Sequence, residues 1–223
     1  MARPAAIVFD VIETLFPLDP LEPVLAAAGL GAGARELLFT RILRDAFALD
    51  AAGTFRPFRE VAAGSLEVLL AQRGLARGHA EVEAVLDAFA ALDPADDAAP
   101  ALRLVERAGV PAATLSNGGV AATRALLERA GLAELVSRVL GVDEIRRFKP
   151  GPAIYRHAAD ALQLPPERIA LVAVHAWDCE GAKRAGFVTG WSSRLERRYH
   201  RAMTPPDASG PDLVSVVEGL LSL

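Results

Sequence analysis

The sequence predicts an α/β fold: a parallel sheet covered by helices, with a helical segment inserted after the first strand. Short apolar runs alternate with helical patterns over residues 97–223, which is typical of parallel βαβ units. The runs are almost continuously apolar, as expected for strands buried on both faces of a sheet. Residues 17–96 instead contain amphipathic segments and no convincing strand. These observations favour a doubly wound, Rossmann-like core with an inserted all-helical cap domain.

Five strands are predicted from the apolar runs: AAIVF (5–9), VPAATLS (110–116), RVLGV (138–142), IALVAVH (169–175) and FVTGWSS (187–193). Helices are predicted between them over residues 99–109, 120–131 and 153–164. Each of these helices closes with Gly or Leu-Pro, as helix C-termini often do. The segment MTPPDASGPD (203–212) is predicted as a loop and residues 213–223 as a closing helix.

Four amphipathic segments of the insertion predict helices, at residues 20–30, 34–50, 58–74 and 80–92. The stretch LDPADDAAP (92–100) is rich in Pro and Asp and is typical of a return linker. The predicted organisation is a core of residues 1–16 and 97–223 and a cap of residues 17–96.

Composition excludes several classes of protein. The net charge of −4 gives no basic face for nucleic acid, and no apolar run approaches the roughly 18 residues of a membrane span. The apolar segment near the N-terminus already contains Asp10, unlike a signal peptide. The single cysteine, Cys179, excludes an internal disulfide and favours the reducing cytoplasm.

Polar side chains follow the predicted strands at the points where the strands end. They are Asp10, the pair Ser116-Asn117, and the stretch from His175 to Asp178, with Lys149 in a nearby loop. Any one of them could be a helix cap. Because ligands of open α/β sheets gather beyond the carboxyl ends of the strands, all of them together predict a site at this edge.

Four ordered motifs carry a family resemblance: VFDVIETLF, TLSNGG, RFKPGPAIYRHA and VAVHAWDCEGAKRAGF. In this order they resemble the haloacid dehalogenase superfamily over nearly the whole chain. LSNGG, FKPGPAIY and AWD are similar to its L-2-haloacid dehalogenase branch. The resemblance implies a hydrolase without metal or other cofactor, which displaces halide from a small 2-haloalkanoic acid through an aspartyl-ester intermediate.

Ile12 separates this chain from the phosphatases of the superfamily. Those enzymes carry a second Asp two residues after the nucleophile, where it protonates a poor alkoxide leaving group. Ile12 cannot supply a proton, whereas halide leaves as a stable anion and needs none. Val174 likewise stands where phosphatases place the first magnesium-binding carboxylate of the fourth motif. Both replacements favour carbon–halogen chemistry.

The resemblance implies a role for each candidate residue. Asp10 would be the nucleophile, and Lys149 would keep it ionised. Asp178 would position Lys149 and the hydrolytic water. Hydroxyl and amide donors around the nucleophile and the substrate carboxylate would come from Thr14, Ser116 and Asn117.

The remaining substrate contacts are also implied by the resemblance. Arg41 matches the arginine that draws off the halide, with Arg44 as a rival one helical turn along. Phe58 and Trp177 would form an apolar wall around the leaving group. Tyr155 matches a tyrosine near the nucleophile.

Three positions depart from the dehalogenase pattern. Ala173 and His175 stand where the relatives carry Ser and Asn, both of which assist the second step. His175 could replace the Asn as a donor or act as a base, and the alternative is crippled ester hydrolysis. Glu13 stands where a Gly is usual, and either narrows the cleft or pairs with an arginine.

Two further functions remain alternatives. One is another hydrolase of the same superfamily, such as a weak phosphatase, and the other is a non-catalytic descendant that binds a small carboxylate. The apolar helices of cap and core could also support a homodimer.

Overall fold

The computed structural model describes residues 3–75 and 78–223. Within them, six parallel strands form one sheet in the order β3-β2-β1-β4-β5-β6. The strands are β1 (Ala6–Phe9), β2 (Ala112–Ser116), β3 (Arg138–Gly141), β4 (Ile169–Ala173), β5 (Val188–Ser192) and β6 (Ala208–Gly210).

Helices follow the strands or fill the insertion after β1. The insertion contains α1 (Leu21–Ala27), α2 (Ala34–Ala51), α3 (Phe58–Gln72) and α4 (His79–Phe89). The rest of the chain contains α5 (Ala98–Arg107), α6 (Val120–Arg129), α7 (Pro152–Leu162), α8 (Ala176–Arg184) and α9 (Leu213–Leu221). Short 3-10 helices cover Ala133–Leu135, Val142–Glu144 and Pro166–Arg168.

The central position of β1 explains where a site can form. Ile7 of β1 is in register with Ala112 of β2 on one side and with Ala170 of β4 on the other. Every residue of β1, β2, β4 and β5 is buried, as their apolar composition requires. The strand order reverses at β1, and the loops that leave adjacent strands in opposite directions open a crevice there.

The chain divides into two compact units. One contains the residues up to Phe16 together with Pro94–Leu223, and the other contains Pro17–Asp93. In the second unit α2 packs on α3, where Ser65 donates a 2.8 Å hydrogen bond to Asp45. On its surface Arg59 pairs with Glu83 and Asp87 of α4 at 2.5 and 2.7 Å.

The predicted fold class is confirmed, with corrections to its elements. The segment 203–212, predicted as a loop, contains β6, a three-residue strand paired with β5 through Ser192 and Gly210. The predicted strands are one to two residues too long at their ends, and α5 begins inside the predicted linker at Ala98. No helix in the described ranges is long and apolar enough to cross a membrane.

Candidate active site

Asp10 lies directly beyond the carboxyl end of β1, where the buried sheet meets the crevice. Phe9 is in register with Val172 of β4, and the backbone N–H of Asp10 donates to the Val172 carbonyl at 3.0 Å. Because the last ladder bond fixes the Asp10 backbone, its side chain is held on a rigid element. Asp10 is only 5% exposed.

Lys149 joins two carboxylates at this position. Its Nζ lies 2.8 Å from Oδ1 of Asp10 and 2.7 Å from Oδ2 of Asp178. The side chains of Lys149 and Asp178 are fully buried. The two short charge-assisted hydrogen bonds of this buried ammonium are strong electrostatic interactions. Removal of one of the charged partners would leave a buried charge unpaired.

The three ionisable groups respond to burial and to one another. Burial alone would raise the pKa of Asp10, but the charges of Lys149 and His175 hold it below its usual value. Burial opposes the charge of Lys149, yet the two carboxylates raise its pKa. Burial and the neighbouring charge of Asp10 raise the pKa of Asp178 despite Lys149. At neutral pH Asp10 is therefore the ionised carboxylate and Lys149 its cation.

Thr14 connects the loop after β1 with the end of β4. Its Oγ1 donates to Oδ2 of Asp10 at 2.6 Å and accepts from the backbone N–H of Val174 at 3.2 Å. With Lys149 on Oδ1, both carboxylate oxygens of Asp10 receive a hydrogen bond. These bonds fix the rotation of the carboxylate.

Tyr155 orients Asp178 from α7. Its hydroxyl donates to Oδ1 of Asp178 at 2.6 Å, and the ring is fully buried. The approach requires a glycine in α8, because a Cβ at Gly181 would lie 2.5 Å from the Tyr155 hydroxyl. Both oxygens of Asp178 thus have a donor, one from Tyr155 and one from Lys149.

Ser116 ends β2 and Asn117 follows it, at the same edge of the sheet. The amide oxygen of Asn117 accepts from the backbone N–H of Lys149 at 2.8 Å, and Ser116 Oγ accepts from the N–H of Gly118 at 2.9 Å. The Nδ2 of Asn117 is buried and has no hydrogen-bond partner among the described residues. A buried amide donor without a partner suits a ligand anion.

His175 lies at the N-cap of α8 between two carboxylates. Its Nε2 is 3.3 Å from Oε2 of Glu13, its Nδ1 is 3.8 Å from Oε1 of Glu196, and Trp177 stacks on the ring at 5.3 Å. Burial would lower the pKa of His175, but contact with the two carboxylates raises it to about 10. An imidazole that is charged at neutral pH favours the donor alternative over the base alternative.

Two residues of this site were missed by sequence reasoning, Arg194 and Glu196, both in the loop after β5. Arg194 donates to the backbone carbonyls of Glu13 and Thr14 at 3.0 and 2.6 Å, and it pairs with Asp97. Glu196 lies in the basic run RLERRYHR, which resembles a solvated tail. The one feature of the sequence that could have identified Glu196 is its position just beyond a buried strand, at the edge of the sheet where the other candidate residues lie.

Two of the predicted residues belong to the inserted unit. Arg41 is a half-buried residue of α2, and its neighbour Arg44 is exposed and pairs with Asp45 at 2.7 Å. Phe58 begins α3, and its ring meets that of Phe89 edge-on at 5.8 Å.

The arrangement around Asp10 can perform nucleophilic substitution. It offers an ionised carboxylate at a fixed rotation, a buried cation beside it, and a second carboxyl group that shares the cation. An unpartnered amide donor lies on the adjacent strand end. This set suits a small anionic substrate with a good leaving group.

Comparisons with known proteins point the same way. A model described as haloacid dehalogenase-like hydrolase matches residues 4–186. The (S)-2-haloacid dehalogenase 1 of Pseudomonas sp. (strain CBS-3) is 31% identical over 204 residues, which cover 90% of this chain and 89% of that protein. The haloacetate dehalogenase H-2 of Moraxella sp. (strain B) is 25% identical over 219 residues, covering 97% of this chain and 98% of that protein.

Solved structures are similar over the full chain. The structure of an L-2-haloacid dehalogenase superposes with a TM-score of 0.91 at 28% identity and covers all of both chains. An L-2-haloacid dehalogenase from Xanthobacter autotrophicus, with chloropropionic acid covalently bound, gives a TM-score of 0.89 at 25% identity. That match covers 96% of this chain and 97% of the other.

Proposed function

The chain belongs to the haloacid dehalogenase-like hydrolases, and we propose that it hydrolyses the carbon–halogen bond of small 2-haloalkanoic acids of S configuration. Its similarity to the (S)-2-haloacid dehalogenases extends over nearly the whole chain. The observation that carries the proposal is the ionised Asp10 held by Lys149 and Thr14, combined with Ile12 in place of a general acid.

In the first step, Asp10 attacks the α-carbon of the substrate. A carboxylate oxygen of Asp10 forms a bond to that carbon while the carbon–halogen bond breaks, and halide leaves with its electron pair. Lys149 supports this step because it keeps Asp10 ionised. Ser116 and the free amide donor of Asn117 would bind the substrate carboxylate.

In the second step, water attacks Cγ of the Asp10 ester. Asp178, oriented by Tyr155, would take a proton from this water. Collapse of the tetrahedral intermediate breaks the bond between Cγ and the ester oxygen, and the departing alkoxide takes the proton held by Asp178 and leaves as a 2-hydroxy acid. Asp10, left as a carboxylic acid, then loses its proton to solvent and is restored as a carboxylate. His175 takes the place of the relatives' Asn as a donor, in agreement with its raised pKa.

Residues 17–96 are proposed as a helical cap domain. Arg41 is proposed as the residue that receives the halide, because a guanidinium stays charged at every working pH. Its neighbour Arg44 already pairs with Asp45. Phe58, together with Trp177, is proposed as the apolar wall around the leaving group.

Assembly and compartment are also proposals. The partly apolar surface between α2 and α3, with Val68 at 48% exposure, could support a homodimer. The only cysteine of the chain is free and buried, which suits the cytoplasm.

The direct test is a halide-release panel. Purified protein is given chloroacetate, bromoacetate, fluoroacetate and each enantiomer of 2-chloropropionate, and released halide is measured. We expect release from the S enantiomer and from a haloacetate, and none from the R enantiomer. A matched panel with Asp10→Asn controls for contaminating activity. Absence of release from every substrate, with turnover of a generic phosphate ester instead, would contradict the proposal.

A further inference from the structure

A group of three charged side chains lies beside Asp10, the Glu13–His175–Glu196 cluster, in which His175 and Glu13 are buried and the Glu196 side chain is 29% exposed. Each nitrogen of the His175 ring faces a carboxylate, Nε2 at 3.3 Å from Glu13 and Nδ1 at 3.8 Å from Glu196. The His175 side chain is 7% exposed and that of Glu13 is 9% exposed. An imidazole with an anion at each nitrogen is matched to its doubly protonated form, which donates from both.

The cluster joins three loops of the sheet edge. Glu13 comes from the loop after β1, His175 from the end of β4, and Glu196 from the loop after β5. Glu196 also accepts from the backbone N–H of Ala176 at 3.0 Å, through the oxygen that does not face His175. One carboxylate thus fixes both the imidazole and the first turn of α8.

The backbone of Glu13 supports a functional role for its side chain. Its φ is 65°, in the left-handed region that favours glycine. Dehalogenases that the sequence resembles carry Gly here, so this chain keeps a carboxylate at a position where the backbone disfavours any side chain. Strained residues of this kind concentrate at functional sites.

The charge of His175 acts on Asp10. The two attract each other, and His175 immediately follows Val174, whose N–H binds the same Thr14 hydroxyl that holds Asp10. Glu13, Glu196 and Asp10 are the anionic groups that act on the imidazole. Lys149 is a further cation beside Asp10, and Arg194 binds the backbone carbonyls of Glu13 and Thr14.

We propose that Glu13 and Glu196 are positioning residues that hold His175 as a second cation of the site, for the hydrolysis of the aspartyl ester. The proposal rests on the proposed function. When water bonds to Cγ of Asp10, the electron pair of the C=O bond moves onto oxygen, and the His175 charge stabilises that oxyanion. In this cluster the charged His175 stands where the relatives carry a neutral Asn, and Glu13 stands where a Gly is usual.

This role predicts a particular dependence on pH. The carboxylates raise the pKa of His175 to about 10, so the cation persists through the neutral range and is lost above it. Removal of one carboxylate lowers that pKa toward the ordinary value near 6.5. As pH rises, ester hydrolysis by such a variant should therefore be lost at a lower pH than in the wild type.

The test separates the two chemical steps in Glu13→Gln, Glu13→Gly and Glu196→Gln. Glu13→Gly removes the carboxylate and relieves the backbone, while the Gln of Glu196→Gln can still accept from Ala176. Rapid quench with an S-2-chloropropionate substrate measures the first halide released, and mass spectrometry of the Asp10 peptide measures loss of the ester. Glu180→Gln is the matched control, since Glu180 of α8 binds Arg184 and the N–H of Thr204 instead.

We expect ester hydrolysis about tenfold slower than wild type near pH 8.5 in all three variants, and a deficit below about threefold near pH 6. The first halide release should change less than about threefold at either pH. NMR titration of histidine-labelled protein, assigned with His175→Asn, should give a pKa near 10 that falls in each variant.

Several outcomes would overturn the proposal. They are a deficit that is equal at all pH values, an unchanged hydrolysis rate in the variants, or a His175 pKa near its ordinary value in the wild type. A wild type that releases one halide per site and keeps the ester would also overturn it, while leaving Asp10 as the nucleophile. A wild type that releases no halide would instead contradict the proposed function, and the NMR titration would still test the ionic state of the cluster.

Discussion

Replacement of Lys149 by Met should leave the buried carboxylates of Asp10 and Asp178 without the cation that they share. Lys149 Nζ lies 2.8 Å from Asp10 and 2.7 Å from Asp178, and its side chain is fully buried. Removal of one partner of a buried ion pair costs about 3–5 kcal/mol of stability. We expect a loss of that size in the free energy of unfolding at neutral pH, measured by urea titration.

The sign of the pH dependence follows from the pKa shifts. In the wild type the pKa of Asp10 is lowered, so its contribution to stability is present above its unfolded pKa and is lost as pH falls. Without Lys149, burial dominates and raises the pKa of both carboxyls. The folded variant then binds more protons than the unfolded chain, and its deficit against wild type should shrink between about pH 8 and pH 5.

Activity of the same variant should show the opposite dependence. Without the Lys149 charge, burial dominates and raises the pKa of Asp10, so that a smaller fraction of this carboxyl is ionised at neutral pH. Halide release per folded molecule should therefore rise with pH between about 6 and 8, where the wild type is flat. The assay is single-turnover halide release. It is carried out without urea and at low temperature, so that the variant is folded.

The chain offers a matched control in its other lysine. Lys183 pairs with Asp207 at 2.6 Å but is 21% exposed and lies outside the site. Lys183→Met should leave the pH profile of halide release unchanged. The reasoning about Lys149 would be refuted by a Lys149→Met protein of wild-type stability, or by one whose halide release is independent of pH.

Three further predictions concern the proposed nucleophile and its surroundings. Asp10→Asn should abolish turnover with the fold intact, because the amide is a poor nucleophile of similar shape; halide release and circular dichroism test both parts. Exhaustive EDTA treatment should leave halide release unchanged, and a loss restored by magnesium would favour the phosphatase alternative. Thr14→Val should cost about 1–3 kcal/mol in urea unfolding, because it leaves the buried N–H of Val174 without its acceptor, and Thr14→Ser should recover most of it.

The sheet and the edge where its polar side chains gather were predictable because their signals are local, whereas the roles of Lys149 and Thr14 were implied by the family resemblance. Strands buried on both faces require continuous apolar runs, and the residues that end them lie at one edge whatever the loops do. Asp10 follows β1, Ser116 ends β2, and Asp178 lies in the first turn of the helix after β4. Strand β6 carried no such signal, because ASG is three residues long and only partly buried.

The Glu13–His175–Glu196 cluster was not predictable as a unit. The sequence alone shows His175 and Glu13 as departures from the dehalogenase pattern, and it predicts that Glu13 narrows the cleft or pairs with an arginine. In the structure the Glu13 carboxylate lies against His175, and Arg194 donates a hydrogen bond to the backbone carbonyl of Glu13. Glu196 lies in a run of basic residues, and only the three-dimensional approach of three loops shows that its charge faces the imidazole.

In the proposed mechanism, the shared Lys149 lets one site serve two consecutive steps. Before reaction, the negative charge of Asp10 raises the pKa of Asp178. Formation of the ester removes the negative charge of Asp10. Of the two carboxylates that contact Lys149, only that of Asp178 then remains charged. The pKa of Asp178 must fall as a result, because a like charge has been removed while the cation stays. Asp178 is therefore most fully ionised at the stage when water has to be deprotonated, and departure of the halide prepares the base for the step that follows.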